Sequence, residues 1–417
     1  MVEWVGLVND PLAVVGPFAT IIGGAEVVKI RASIVLKRVG YRVLLAGLAP
    51  IRLGGFITGV QGLSDVEVYS LFKWFPQVFG LYQMQLGNIV VEKAVKHRRP
   101  DLVFIDNEGS KGIDELKRVI GFKLVKYIHF PHSIYVATEN CSSFKSRKIE
   151  SYCRDAVSYS RKYFSTVFWN AYWAIYLKLL EASIPEDPFL HTDLVITNSE
   201  YTGDILRELY GVEPLVLHPP VYIEDLLSCG RKGFDERENS VVMVGRVSSE
   251  KRHDDVIRAI ALLEERPTLK IIGALTRGNI NYLTHLRRLA VKHRVRLELY
   301  LNASRETLIE NLCSSKIFVH ATVGEHFGIA VVEAMAAGIP VIVNRNSGSY
   351  RDVLVNGYYG LGYSSIRELS ELLKSLIHDK VLWSKYHDLS LSRSIEYDSR
   401  VFEKALADKI RGLLDAG

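Results

Sequence analysis

The chain has 417 residues, more than one hydrophobic core usually serves, so two units of about 200 residues each are expected. Hydrophobic residues make up 48% and charged residues 24%, a globular composition that excludes disorder, collagen and a disulfide scaffold. The net charge of +5 comes without any Lys/Arg-rich run, so it suits an anionic small molecule or an acidic membrane surface and gives no sign of nucleic-acid binding.

The opening residues, MVEWVGLVNDPL, carry an acidic residue and no basic stretch before their apolar run, so they are expected to form a first strand, Trp4 to Val8, and no secretion signal. Gly23 and Gly24 then precede helix-like sequence, and glycines there let backbone approach a ligand closely; a plain loop is the alternative. Further strands are expected at Tyr41 to Ala46, Asp101 to Ile105, Lys123 to His129 and Asp193 to Thr197, each followed by a helical pattern. His129 ends its strand at the carboxyl edge, where ligands bind in open α/β sheets, although a lone histidine there is also a common structural residue. His132 lies nearby in a supporting position.

The segment from Arg161 to Ser183 crowds aromatics into a helix-length stretch. Asn170 and Lys178 interrupt it, so it falls short of the roughly 20 apolar residues a membrane span needs. Two readings stay open, a core helix or an interfacial helix on lipid headgroups, and the basic residues Lys145, Arg147, Lys148, Arg154, Arg161 and Lys162 upstream favour peripheral contact with anionic membrane through 145–180. Cys141, Cys153, Cys229 and Cys313 are scattered without metal-ligand spacing; reduced thiols, no metal and a cytoplasmic setting are expected.

The turn-rich stretch from Pro219 to Asn239 reads as a linker, after which the alternation restarts with Ser240 to Gly245, Leu269 to Gly273, Arg296 to Leu301, Lys316 to His320 and Val341 to Asn344. Arg246 and Lys251 flank the loop after the first of these, where two cations can bracket a diphosphate; two solvated charges are the alternative. The strongest signal is GEHFGIAVVEAMAAG, Gly324 to Gly338, in which His326, Phe327 and Gly328 form the entry to a helix. A helix N-terminus after a strand offers free N–H groups and a positive dipole end. Glu325 sits in the loop and Glu333 on the helix, and two carboxylates match the vicinal diols of a ribose and a hexose.

This segment resembles the E-x7-E motif of retaining GT-B glycosyltransferases of family GT4, and its EHFGI opening is similar to that of GDP-mannose-dependent α-1,2-mannosyltransferases acting on lipid-linked oligosaccharides. GGAE, YIHFPHS, TNSEYT, HPPV and VGRVSSEKR extend the resemblance along nearly the whole chain. It implies an α/β GT-B fold: two Rossmann-like domains with parallel sheets facing across a cleft, an acceptor-binding domain at 1–218, a linker at 219–239, a nucleotide-sugar-binding domain at 240–392, and a terminal helix at 393–417 packing back on the first domain.

The resemblance also implies a retaining, metal-independent hexosyl transfer, with mannose from GDP-mannose favoured and a glycan or lipid-linked glycan as acceptor. No cofactor is required, the nucleotide sugar being a substrate. His129, Arg246, Lys251 and Glu325 would be catalytic; Gly23, Gly24, His326, Phe327, Gly328, Ile329 and Glu333 would bind the donor. The competing readings are a UDP-sugar enzyme with a soluble acceptor, a sugar-nucleotide epimerase and a non-catalytic binding homologue. A nicotinamide enzyme is disfavoured because the first glycine turn lacks a full GxGxxG.

Overall fold

In the computed structural model the described residues are 10–19, 24–50, 63, 66–75, 80–134, 150 and 167–415. Two parallel sheets organise them. The first contains β1 (Leu12–Phe18), β2 (Arg42–Gly47), β3 (Glu67–Ser70), β4 (Leu102–Ile105), β5 (Lys123–Ile128), β6 (Leu194–Thr197) and β7 (Leu215–Val216), in the order β3-β2-β1-β4-β5-β6-β7. Helices α1 (Gly24–Arg38), α2 (Gly80–Arg98), α3 (Lys111–Ile120), α4 (Val167–Ser183) and α5 (Glu200–Tyr210) lie between its strands.

The second sheet contains β8 (Glu238–Val244), β9 (Thr268–Gly273), β10 (Leu297–Leu301), β11 (Ser315–His320), β12 (Val341–Asn344) and β13 (Leu361–Tyr363), in the order β10-β9-β8-β11-β12-β13. Its helices are α6 (His253–Ala261), α7 (Ile280–His293), α8 (Arg305–Ser314), α9 (Ile329–Ala336) and α10 (Ile366–His378). The chain closes with α11 (Lys380–Ser394) and α12 (Ser399–Asp415). In each sheet the strand order reverses once, between β1 and β4 and between β8 and β11, and the crevice outside the carboxyl ends at such a reversal is where open α/β sheets take ligands.

Local chemistry explains these elements. β4 (LVFI) and β12 (VIVN) are buried along their whole length, as parallel strands covered on both faces must be. Helix α5 starts where Ser199 accepts a hydrogen bond from Thr202 N and stops at Gly211, whose φ of 66° few other residues tolerate. The expected strand at Trp4 to Val8 lies outside the described residues; the first strand among the described residues is LAVVGPF, a run buried at every position. The short strands β3, β7 and β13 carry too few residues for a periodic signal, and sequence reading misses them.

Two features tie the halves together. Val221 N donates to Tyr397 O and Ser399 N to Val221 O, both at 3.0 Å, so the two places where the chain passes between the sheets lie side by side. Beyond them Phe402, Leu406 and Ile410 of α12 complete the core of the first sheet with Val15, Val35, Leu45 and Tyr127, and Arg31 pairs with Glu403 at 3.0 Å. The second feature is Asp352, whose carboxylate accepts from Glu200 N at 2.6 Å and Tyr201 N at 3.2 Å, capping α5 from the other half of the molecule.

The stretch from Pro219 to Asn239 is held down rather than loose. Arg237, buried, donates to the carbonyls of Lys232, Leu312, Ser315, Cys229 and Ala337. Cys229 and Cys313 form a disulfide with a Cα–Cα separation of 4.8 Å, which corrects the expectation of reduced thiols for this pair, Cys141 and Cys153 lying outside the described residues: residues 84 apart in sequence are brought together by the turn at Leu227–Arg231 docking on α8. Among the described residues no helix is long and apolar enough to cross a membrane.

Leu406 is fully buried, so Leu406→Ala is expected to cost about 2–5 kcal/mol. Hydrogen exchange should then accelerate in β1 and α1 while the second sheet keeps its protection. Equal loss in both sheets would contradict the assignment of α12 to the first core.

Candidate active site

The reversal between β8 and β11 gathers the charges. β8 runs into Gly245, whose φ is 147°, and a Cβ on Gly273 would collide with the Gly245 carbonyl, so these two glycines let the loop ends of β8 and β9 lie against each other. The short turn that follows carries Lys251, while β11 delivers His320 at its last position. Lys251 Nζ and His320 Nε2 both reach Glu325 Oε2, each at 2.8 Å, which leaves Oε1 outside these bonds.

Burial alone would raise the pKa of Glu325, but Lys251 and His320 outweigh it and hold the carboxyl well below its ordinary range. Burial draws the His320 pKa down despite the pull of Glu325, so a neutral ring donates its Nε2–H to an acceptor-only carboxylate. Sequence reading misses His320, although it ends a strand at the carboxyl edge just as His129 does.

The loop bearing Glu325 is fixed by its own backbone. Gly324 N donates to Asn346 O and Gly348 N to Glu325 O, both at 2.6 Å, and Ser349 Oγ donates to Phe327 O at 2.6 Å. Gly328 opens α9 with a φ of 90°, where any Cβ would land on Ser349 Oγ. Ile329 then begins the helix, with Val331 N and Val332 N donating to Gly328 O at 2.9 and 3.4 Å.

The expected donor residue Phe327 turns its ring into the core instead. It is 2% exposed, stacked on His218 at 5.3 Å and edge-on to Tyr397 at 5.2 Å, so only its backbone remains for a ligand. Arg246 does not join Lys251 at Glu325; its side chain is 65% exposed and its nearest acid is Glu250 at 3.4 Å. Glu333 is partly buried on α9, its side chain 15% exposed, and paired with Arg305 of α8, which also forks onto Asp225 with two bonds of 2.9 Å.

The first sheet supplies the opposite wall. A Cβ on Gly24 would lie 3.1 Å from Ile329 Cδ1, and the Phe130 and His326 rings stand 4.5 Å apart, so the edges of the two sheets meet around the Glu325 loop. Gly23 and the basic residues from Lys145 to Lys162 fall outside the described residues. The Nε2 of His129 is buried without a hydrogen-bond partner. Behind it, Lys29 Nζ is held by Pro17 O and Asp106 Oδ2 at 2.6 Å each and by Glu26 Oε1 at 3.4 Å, a cluster that sequence reading does not find.

Three histidines here stay neutral. Burial, with repulsion from Lys29, His326 and His132, pushes the His129 pKa down to about 3. Burial likewise lowers His132 and His326 to about 4 each, with Glu325 opposing the shift at His326 and Lys251 adding to it.

Residues 22–225 match the family Glycosyltransferase Family 4 and residues 230–391 match Glycosyl transferases group 1. Curated relatives include the GDP-Man:Man(3)GlcNAc(2)-PP-Dol alpha-1,2-mannosyltransferases of Dictyostelium discoideum, 25% identical over 72% of this chain and 61% of the relative, and of Homo sapiens, 26% identical over 66% and 57%. The chain therefore spans less than two thirds of these relatives' length.

Among solved structures, Anabaena HepE with UDP and glucose superposes with a TM-score of 0.66 at 16% identity, covering 97% of this chain and 100% of that one. Sucrose-phosphate synthase from Thermosynechococcus elongatus gives 0.69 at 14% identity, covering 98% and 100%. Likenesses at this level of identity speak for the GT-B fold.

Because His129, His132 and His326 take up a second proton only in acid, their imidazole resonances should show no titration midpoint between pH 8 and pH 5 in the folded protein, as followed by NMR. A midpoint near the ordinary histidine value of about 6.5 for any of the three would show that the ring is solvated.

Proposed function

The chain belongs to the glycosyltransferases, with a Family 4 half and a group 1 half, and on that premise we propose that it transfers mannose from GDP-mannose to a hydroxyl of a lipid-linked glycan. The observation that carries the reading is Glu325, an anion held by Lys251 and His320 at the reversal of the second sheet, opposite His129. The relatives named for GDP-mannose and a dolichol-linked acceptor motivate the choice of donor and acceptor.

In this reaction the bond from the anomeric carbon to the diphosphate oxygen breaks and its electron pair leaves with GDP. The acceptor oxygen bonds to that carbon from the same face, and its proton passes to the departing diphosphate, so configuration is retained. Lys251 and the first amides of α9 stabilise the growing negative charge, and Arg246, exposed and paired with Glu250 before the donor arrives, joins them when the donor is bound. This arrangement assigns charge neutralisation to protein groups and calls for no metal. Glu325 Oε1 accepts from hydroxyls of the donor sugar, the neutral His129 ring bonds the same sugar near the reacting carbon, and Glu333 takes the ribose. Contact of Gly24 and Phe130 with the Glu325 loop excludes water, whose attack would waste the donor.

A lipid-linked acceptor calls for a membrane-facing surface, and α4 is the candidate. It buries Tyr176 and Leu180 but leaves Val167 87%, Ile175 54% and Leu179 46% exposed, so one side serves the core and the other exposes apolar side chains interspersed with Asn170, Lys178 and Glu181.

Calorimetry with GDP and UDP in EDTA tests the donor: GDP should bind at least tenfold more tightly, and the reverse order would move the donor to a UDP-sugar. Lys251→Ala should lower kcat with GDP-mannose by about 10²–10³ with a smaller change in KM. Unaltered turnover would remove Lys251 from the mechanism. Replacing Ile175 and Leu179 together with Glu should reduce sedimentation with phosphatidylserine vesicles, and undiminished binding would remove α4 from the membrane contact.

A further inference from the structure

We propose that Arg305 is a positioning residue of the donor site, holding one carboxylate oxygen of Glu333 so that the other is presented to the ribose of a nucleoside diphosphate. The inference rests on the reading of Glu333 as the ribose ligand and adds a residue that the sequence motifs do not contain.

Arg305 is the first residue of α8 and its guanidinium is used along two edges. Nε and Nη2 fork onto the two oxygens of Asp225 at 2.9 Å each, Nη2 also donates to Tyr222 O at 3.2 Å, and Nη1 is left to donate to Glu333 Oε1. A guanidinium fixed by a planar fork has little freedom, so the nitrogen that faces Glu333 is aimed and not merely near. Glu333 Oε2 stays out of the network, and an ionised carboxylate with about four acceptor sites can serve Arg305 and two sugar hydroxyls together. Asp225 itself is anchored, because the disulfide from Cys229 to Cys313 fastens the same segment to the same helix.

The arrangement answers a physical difficulty. Burial on α9 drives Glu333 toward the protonated form, and Arg305 is the cation that opposes it. A protonated carboxyl is a poor partner for a diol, since it loses acceptor capacity and charge. Without Arg305 the carboxylate would both turn freely and take up a proton more easily, so ribose recognition would become dependent on pH.

The test is calorimetry of GDP and of 2′-deoxy-GDP at pH 6, 7 and 8 on the full chain, its Arg305→Met and Arg305→Lys variants and Glu333→Gln. The parent should bind GDP more tightly than 2′-deoxy-GDP with little change across the range. Arg305→Met should weaken GDP about tenfold at pH 7, lose the preference over 2′-deoxy-GDP, and gain affinity as pH rises from 6 to 8. Arg305→Lys should fall between the two, because a point charge reaches Glu333 but cannot fork onto Asp225. A folded Arg305→Met that binds both nucleotides within twofold of the parent at every pH overturns the inference. Should Arg305→Met fail to fold, parent-like binding by Arg305→Lys overturns it in the same way. If Glu333→Gln also binds like the parent, the ribose reading has failed; if Glu333→Gln is weakened and Arg305→Met is not, only the role of Arg305 has.

Discussion

A carboxylate taken out of water must keep a cation or a donor beside it or pick up a proton, and the second half of the molecule is arranged around that demand at Glu325. Lys251 comes from the turn after β8 and His320 from the end of β11, so the anion is stable only where two adjacent strands of a parallel sheet end together. The glycines at 245, 273, 324 and 328 follow from the same demand. They let three loops come within hydrogen-bonding distance of one another without side chains between them.

The two walls of the site differ in electrical character. On the side of the second sheet the groups are charged and paired: Lys251 with Glu325, and Arg305 with Glu333 and Asp225. On the side of the first sheet His129 and His132 are neutral, and the charges of Lys29, Glu26 and Asp106 are buried behind them. Asp106 is pulled up to about 6, chiefly by burial with Lys29 opposing, so this cluster can change its charge near neutral pH while the Glu325 cluster cannot.

What could be read in the sequence was what is local. The strand alternation, with its restart near residue 240, is written in apolar runs of the length and composition of strands, nine of the ten expected runs coinciding with strands and the run at Trp4 to Val8 lying outside the described residues, and GEHFGIAVVEAMAAG carries its loop, helix entry and two carboxylates within fifteen residues. What escaped was whatever depends on distant partners. Arg305 lies 28 residues from Glu333 and 80 from Asp225, Lys29 lies 77 from Asp106, and the carboxylate that caps α5 is 152 residues from Glu200. Nothing in the neighbourhood of Cys229 points to Cys313, and Phe327 reads as a donor residue because its burial against His218 and Tyr397 exists only once the chain has passed between the sheets twice.

That double passage bears on how the protein is made. Phe402, Leu406 and Ile410 fill the core beneath β1 and β2, so the domain that leaves the ribosome first lacks part of its interior until the final helix has been synthesised. At a synthesis rate of about 5–20 residues per second, the 182 residues between β7 and α12 impose a wait on the order of ten seconds or more. During that interval an apolar groove is open on a half-built nascent chain, and the second domain, whose core draws on no earlier strand, can finish folding before the first.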